Sequence, residues 1–312
     1  MQSRLAGPIL ILLSALCFSV TGTLQALAPA GATPWVIAEV RMVTSAFFLF
    51  LWCAATGKLP KLTADLPWRA IIICACCTCL YQLFFFFGAL KLGVAVGTVV
   101  CVGATPIMSA IVAKFVLGHS PRPIWYVATL IAVVGIGLLN IKSFEAGNLG
   151  WVIVPLLGAM VYGIYMNASP EVSSHMQPEA GIMIGLCMIS VMLAPVLVLF
   201  PIDWIWSSPR GLLVSAAFGI AGGLGFGLFF LGMKTTAPVV SATLSLAEPM
   251  GAACLGIFLL GEDSSLPTIA GIALIIIYYA IRDYIRVTTF TVGYLFILLC
   301  RLKLPVNLNR KL

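Results

Sequence analysis

Apolar runs of about twenty residues succeed one another along most of this chain, with short segments rich in Pro, Gly or charge between them. A helix needs about 20 apolar residues to cross about 30 Å of hydrocarbon. With the short segments taken as boundaries, the sequence predicts ten transmembrane helices. The predicted spans are residues 7–27, 34–56, 67–90, 94–117, 122–141, 148–168, 178–200, 210–232, 238–260 and 265–285.

The composition excludes the other fold classes. Apolar residues make up 62% of the chain and charged residues only 9%, whereas a soluble domain carries about 45–50% and about 25%. Intrinsic disorder requires low hydrophobicity. A transmembrane barrel requires alternating apolar and polar positions, which the unbroken runs lack. The sequence therefore predicts an all-α integral membrane protein held in a lipid bilayer.

Positive residues near the span ends predict the orientation, because cytoplasmic loops carry an excess of Lys and Arg. If the N-terminus is cytoplasmic, the outside loops of the first half hold only Lys91 and Lys142. The inside loops then hold Arg4, Lys58, Lys61, Arg69 and Arg122, and the basic C-terminus is also inside. We expect both termini in the cytoplasm and a location in the plasma (inner) membrane. The scattered cations favour topology signals over a nucleic-acid patch, so no nucleic-acid partner is expected.

The two ends of the chain carry segments of unusual character. Residues 1–28 resemble a signal peptide, but Pro29 would follow the cleavage point and the apolar run 7–27 is longer than a typical signal core, so we expect a retained first span. Residues 287–312 form a basic tail with an apolar stretch at 291–300. This stretch is short for a span, and we expect it to lie in the membrane interface. The alternative, an eleventh span, would place the basic C-terminus outside.

An internal repeat relates the two halves of the chain. The sequence FFGALK at 86–91 aligns with FFLGMK at 229–234, an offset of 143 residues. Pro106 and Gly118 match Pro249 and Gly261 at the same offset. The offset spans five predicted helices, an odd number, so the second copy enters the membrane inverted. Two inverted repeats form a common architecture of secondary transporters; the alternative is chance similarity between apolar helices.

Short motifs recur at matching places in the two halves. The second half carries Leu246-Ala247-Glu248-Pro249 and then Leu259-Leu260-Gly261-Glu262, while the first half carries Gly103-Ala104-Thr105-Pro106 and then Leu117-Gly118. With Arg41 in the second span, this order resembles that of the EamA-type transporters of the drug/metabolite transporter (DMT) superfamily. Two features depart from the family pattern: His119 stands at the place of Glu262 in the first half, and the tail matches no feature of the family.

The resemblance implies a fold and a class of activity. It places one five-helix repeat at 7–141 and a second at 148–285, with ten helices and cytoplasmic termini. It implies export or exchange of small metabolites such as amino acids, either facilitated or driven by ion gradients. The identity of the substrate is left open.

Glu248 is the leading candidate for a role in transport. It lies about halfway along the ninth predicted span, where a charged carboxylate costs about 2.5–3.5 kcal/mol on insertion scales. A carboxyl that gains and loses a proton as a cavity changes sides is a natural coupling group; the alternative is a structural carboxyl bonded to a neighbouring helix. Pro249 cannot donate to the carbonyl of Ser245, and Pro106 repeats this pattern in the fourth span. These helix kinks fit either a gate or fixed packing.

Other polar side chains inside the spans are candidate pathway residues. Arg41 has the planar guanidinium that binds carboxylates, although a structural anchor is the alternative. Mixed aromatic and amide groups can stack on and orient an amphipathic substrate, but packing is the commoner role of aromatic runs. The remaining candidates are Thr105, Tyr81, Gln82, Tyr162, Tyr165 and Asn167.

Two further patterns favour packing over chemistry. Small residues at steps of four, from Ser215 to Gly227, form a stripe that permits close helix approach. The cysteine cluster between Cys74 and Cys79 lies in an apolar segment without histidine, which favours small buried hydrophobic residues over a metal site. We expect neither a metal nor a cofactor.

Together these observations predict a secondary transporter. It would move a small metabolite, an amino acid or a related polar or amphipathic compound, across the cytoplasmic membrane, with export by alternating access favoured. Proton coupling and a homodimer are options. The alternatives are an integral membrane enzyme acting on lipid and a non-transport membrane subunit. The enzyme requires clustered Asp, His or Lys at one interface, which the sequence lacks, so no enzyme activity is expected.

Overall fold

The computed structural model of the chain describes residues 2–61, 63, 65–92, 94–118, 123–141, 149–261 and 265–282. Its α-helices are α1 (Gln2–Ala26), α2 (Pro34–Ala55), α3 (Trp68–Leu92), α4 (Val94–Leu117), α5 (Pro123–Leu139), α6 (Ile153–His175), α7 (Pro178–Leu193), α8 (Pro195–Leu199), α9 (Pro209–Met233), α10 (Pro238–Leu244), α11 (Ala247–Leu255) and α12 (Leu266–Arg282). Short 3₁₀ turns cover Leu149–Val152 and Asp203–Ile205, and a π-helical turn covers Gly256–Leu260. The predicted all-helical class is confirmed for the described residues. The tail 287–312, His119 and Glu262 lie outside them.

Eight segments of the described chain are long and apolar enough to cross a membrane. They are Ala6–Ala26, Pro34–Ala55, Trp68–Leu92, Val96–Val116, Gly150–His175, Pro178–Leu199, Pro209–Met233 and Pro238–Leu260. Trp125–Leu139 and Leu266–Tyr278 are apolar but shorter, so the count of ten spans stays a prediction. Phe115, Val198 and Leu213 are between 71% and 87% exposed, and such large apolar side chains on the surface suit contact with lipid.

Two of these segments are interrupted along their length. The segment 178–199 divides at Pro195, where α7 gives way to the short α8. The segment 238–260 divides at Ser245 and Leu246, between α10 and α11. Pro249 lies just after that break, in the first turn of α11, which is where a helix tolerates proline. By contrast, α4 runs without a break through Pro106.

Capping side chains explain where two of the long helices begin. Thr33 Oγ1 accepts a hydrogen bond from the backbone N of Val36 at 3.4 Å, ahead of Pro34 at the start of α2. Ser208 Oγ accepts from the backbone N of Gly211 at 3.1 Å at the start of α9. Each cap satisfies a donor that the first turn leaves without an intrahelical partner.

The two halves of the chain pack in matching patterns. In this comparison α1 corresponds to α6, α2 to α7 and α3 to α9. α1 packs on α9 as α6 packs on α3, and α2 packs on α9 as α7 packs on α3. α4 packs on α6 as α10 and α11 pack on α1, while the pairs α2–α7 and α5–α12 join equivalent helices. These contacts therefore have counterparts when the halves are exchanged. A pseudo-two-fold relation, as in transporters with internal repeats, accounts for this pattern.

Polar contacts between distant segments define two ends of the helix bundle. At one end, Lys58 after α2 contacts Glu179 in the first turn of α7, with Nζ and Oε1 2.8 Å apart. At the other end, Arg210 Nε at the start of α9 donates to the carbonyl oxygen of Leu27, just after α1, at 2.7 Å. We call these the proximal end and the distal end, and α1 begins at the proximal end.

Small residues bring α9 very close to α1 and α2. A Cβ atom added to Gly219 would lie 2.8 Å from the backbone oxygen of Thr44 on α2. One added to Gly225 would lie 2.6 Å from the ring of Phe18 on α1. The close helix approach predicted from the small-residue stripe is therefore present at Gly219. It fixes the position of α2, which also carries Arg41.

Candidate functional site

A cavity of about 590 Å³ lies between the two halves of the chain. This volume falls within the range of about 300–1,000 Å³ that is usual for small-molecule sites. The lining extends from the middle of the bundle to the distal end, and it is partly aromatic and partly polar. Its polar side chains are Ser19, Thr21, Gln25, Arg41, Thr78, Tyr81, Gln82, Thr98, Asn140, Tyr162, Glu248 and Thr268.

Arg41 and Glu248 are the charged members of the described lining. Arg41 comes from α2 in the first half and Glu248 from the first turn of α11 in the second. The two heads interact electrostatically, but no nitrogen–oxygen pair between them lies within 4.0 Å: of the described residues, only Lys58 and Glu179 form such an ion pair. The cavity therefore holds two opposite charges that face the same space without direct contact.

An aromatic wall lies beside these two charges. The rings of Tyr81 on α3 and Tyr162 on α6 are 4.6 Å apart, and Tyr81 also stacks on Phe85 at 6.0 Å. Phe18 and Phe226 meet edge to face at 4.9 Å in the same lining. Rings from both halves therefore contribute to the lining and offer surfaces that can take an apolar or aromatic group.

The helix break in the second half determines the position of Glu248. Because α10 ends at Leu244 and α11 begins at Ala247, Glu248 lies in a first turn rather than in mid-helix. Its backbone N donates to the carbonyl of Ser245 at 3.0 Å. The sequence suggested that Pro249 would leave that carbonyl free. The structure corrects this expectation, because the preceding amide takes the place of the missing donor.

Of the residues singled out from the sequence, six line the cavity: Arg41, Tyr81, Gln82, Tyr162, Glu248 and Pro249. The other four, Thr105, Pro106, Tyr165 and Asn167, are not part of the described lining.

These four residues make contacts elsewhere in the bundle. Thr105 Oγ1 donates to the carbonyl of Cys101 at 2.8 Å, so its hydroxyl is used within α4. Tyr165 is only 2% exposed and stacks beneath Tyr162 at 5.1 Å. Asn167 Nδ2 on α6 donates to the carbonyl of Ser109 on α4 at 3.0 Å. In this conformation Tyr165 supports the aromatic wall and Asn167 ties α6 to α4.

Several lining residues were not singled out from the sequence. The polar ones are Ser19, Thr21 and Gln25 on α1, Thr78 on α3, Thr98 on α4, Asn140 just after α5 and Thr268 on α12. The available signal was a polar residue inside an apolar run, which marks an unusual position in a membrane. That signal does not distinguish cavity-lining residues from other polar residues in the spans. Ser and Thr elsewhere bond their own helix, as Thr44 Oγ1 does to the carbonyl of Val40 at 2.6 Å.

Where the two halves of the chain meet, the proximal part of the bundle is packed and the distal part is hollow. A second cavity of about 460 Å³ lies between α4 and α5 and is lined by first-half residues alone. Gly163 on α6 lies so close to α4 that an added Cβ would be 2.8 Å from the backbone N of Ser109. α10 packs on both α4 and α6. The hydrogen bond with Glu179 raises the pKa of Lys58 above its ordinary value of 10.5, so the Lys58 cation joins the two halves at this end. The cavity thus lies in the distal half, above a closed floor.

The fold and this cavity define a multi-pass membrane protein built from two similar helical halves. Comparison with known proteins is consistent with that architecture. The chain belongs to the EamA-like transporter family, whose model matches residues 5–141 and 149–281.

A relative and a solved structure extend this comparison. The protein named "Uncharacterized transporter YwfM", from Bacillus subtilis (strain 168), is 32% identical over 275 residues, which is 86% of this chain and 90% of YwfM. A solved chain described only as "Crystal structure of protein" superposes with a TM-score of 0.76 at 18% identity. It covers 89% of this chain and 98% of its own. The family and the transporter-named relative point to a transporter rather than an enzyme.

Proposed function

We propose that this protein is a secondary transporter that moves a small metabolite, an amino acid or a related amphipathic compound, across the cytoplasmic membrane by alternating access. Membership of the EamA-like family supports a transporter. The observation that carries the finer statement is a cavity of about 590 Å³ that draws its lining from both halves and lies above a proximal end where the two halves pack together. A site accessible from one side and closed on the other is one of the two states that alternating access requires.

The proposed mechanism uses the similarity of the two halves. The main helix pairs of each half have counterparts in the other half, so a second arrangement with the roles of the two halves exchanged would use related contacts. In the present arrangement the distal half is hollow. Exchange of the two arrangements would close the distal half and open the proximal half, and the ligand would change sides without a continuous pore.

Topology and energy coupling complete the proposal. We propose ten membrane spans in an inner membrane, with both termini in the cytoplasm, so that the cavity faces outward in this conformation. Labels placed after Gly57 and after Lys234 should then be accessible from one side and a label at Ser143 from the other.

Proton coupling would act through Glu248, whose carboxylate faces the cavity. Export is the proposed direction of net flux.

Flux measurements with the purified protein in proteoliposomes test the proposal. Wild-type protein should give gradient-dependent uptake or counterflow of at least one amino acid from a broad panel. Ala253→Trp would place a large ring in the cavity, since Ala253 lines it, and should abolish that flux. Leu213→Trp, at a side chain that is 71% exposed, is the matched control and should retain it. If wild type moves no metabolite, or if both variants retain full flux, the proposal is wrong.

A further inference from the structure

The two charged groups of the cavity differ from the buried charges of an ordinary membrane protein, because they form no direct ion pair with each other. Arg41 Nε is buried without a hydrogen-bond partner. Among the described contacts, neither its guanidinium nor the carboxylate of Glu248 forms an ion pair within 4.0 Å. A charge in low-dielectric surroundings is costly unless it is paired. Both heads are therefore left with unused capacity to bind a ligand.

The neighbouring carboxylate does not supply the missing partner. Glu39 lies two residues before Arg41 on α2, and residues at that spacing do not face each other on a helix. Glu39 is only 1% exposed and does not line the cavity. Arg41 is instead turned toward the cavity, with the stem of its side chain over Gly222 of α9. The distance between the two cavity charges is thus set by α2 and α11.

Charge balance then selects the ligand. The described lining contains one cation and one anion, so it is neutral as a whole. A ligand with a single charge would pair with one head and leave the other unpaired. A ligand that carries both an anion and a cation satisfies both heads. Guanidinium and carboxylate suit bidentate hydrogen bonding, and a carboxylate accepts hydrogen bonds from an ammonium group.

We propose that the cavity binds a zwitterion across its two charges, with the carboxylate of the ligand on Arg41 and its ammonium group on Glu248. The side chain of the ligand packs on the aromatic wall of Tyr81 and Tyr162. This inference rests on the proposed transport function for its biological meaning, although binding itself does not require flux. It assigns separate roles to the two charged residues and predicts that the site rejects analogues lacking either charge.

The test uses the full-length protein, three probes that share the side chain of phenylalanine, and L-leucine as a second zwitterion. L-phenylalanine carries both charges, N-acetyl-L-phenylalanine lacks the cation, and L-phenylalanine methyl ester lacks the anion. Binding is read from ligand-induced stabilisation against heat, and transport from counterflow of labelled L-phenylalanine. For wild type, each analogue should compete at least about tenfold more weakly than L-phenylalanine, because loss of a paired buried charge commonly costs more than this factor.

Two variants separate a binding role from a structural one. The Arg41→Gln variant should no longer bind the methyl ester more weakly than L-phenylalanine, but should still bind the N-acetyl analogue more weakly. The Glu248→Gln variant should show the reverse: it should no longer discriminate against the N-acetyl analogue, but should still discriminate against the ester. Each variant thus relaxes selectivity at one charge, which a general loss of fold does not produce. Arg69→Gln and Glu171→Gln change exposed residues outside the cavity and should keep the wild-type preference.

The outcomes distinguish this inference from the proposed function. Equal competition by all three probes in wild type overturns the inference, as does a uniform loss of all binding in both variants while heat stability is retained. Flux of some other metabolite without any stabilisation by L-phenylalanine or by L-leucine also overturns it, but leaves the transporter proposal intact. Stabilisation that depends on Arg41 and Glu248, without flux of any metabolite in the panel, supports the zwitterion site and contradicts transport.

Discussion

Replacing Gly219 by Ala tests how closely α9 and α2 are packed. The added Cβ would lie 2.8 Å from the backbone oxygen of Thr44, about 0.6 Å inside the 3.4 Å at which ordinary contact begins. A backbone oxygen cannot rotate away, so the two helices must separate. Overpacking of this kind costs about 1–3 kcal/mol, which exceeds the gain of up to about 1 kcal/mol from replacing Gly by Ala in a helix.

The same substitution at Gly227 provides a matched control in the same helix. There the added Cβ would lie 3.7 Å from Leu49 Cδ2, an ordinary van der Waals contact. Gly227→Ala should therefore keep only the helix gain. With about 2 °C of melting temperature per kcal/mol for a chain of this size, Gly219→Ala should melt a few degrees below wild type in detergent, and Gly227→Ala at or slightly above it.

Transport provides a second readout of the Gly219 substitution. Thr44 is one turn from Arg41 on α2, and its hydroxyl bonds the carbonyl of Val40 at 2.6 Å. A displacement of α2 therefore moves Arg41 within the cavity, and Gly219→Ala should lower flux more than Gly227→Ala does. Equal melting temperatures and equal flux for the two variants would show that the contact between α9 and α2 is looser than the structure indicates.

Two further predictions concern charged residues. Glu248→Gln should abolish pH-driven flux while exchange persists, because an amide cannot take up and release the coupling proton; unchanged flux in a pH-jump assay would remove Glu248 from the mechanism. Lys58→Ala and Glu179→Gln should each lower the melting temperature, and the double variant should lose no more than either alone. Because the pKa of Lys58 is raised in the folded protein, the contribution of the pair is present at neutral pH and persists up to about pH 10. It fades as the pH rises through that raised pKa, so a melting difference that persists unchanged at higher pH would contradict the assignment.

The boundaries of the helices were predictable where capping residues and prolines mark them. Pro34 and Pro178 begin α2 and α7 as the sequence indicated. The prediction was poorest for α6, placed at 148–168, which runs from Ile153 to His175. A helix can extend beyond the hydrocarbon into the polar region. Hydrophobicity alone therefore does not mark its end.

The candidate site was predictable only in part, and the reason is geometric. A charged residue in an apolar run is conspicuous in any sequence, and this signal identified Arg41 and Glu248. Thr105 and Asn167 carry the same kind of signal, yet their side chains bond within α4 and between α6 and α4. The sequence records that a polar group lies in the membrane, but not which neighbour will satisfy it.

The sequence by itself determined that this protein lies in a lipid bilayer, that it is helical and that its two halves are similar. These properties follow from local hydrophobicity and from the spacing of matching residues. Only the tertiary structure decided which end of the bundle is hollow and which side chains line the hollow. It also decided that Arg41 and Glu248 share one space without touching. Such relations depend on how helices far apart in sequence pack against one another, and no local pattern of residues specifies them.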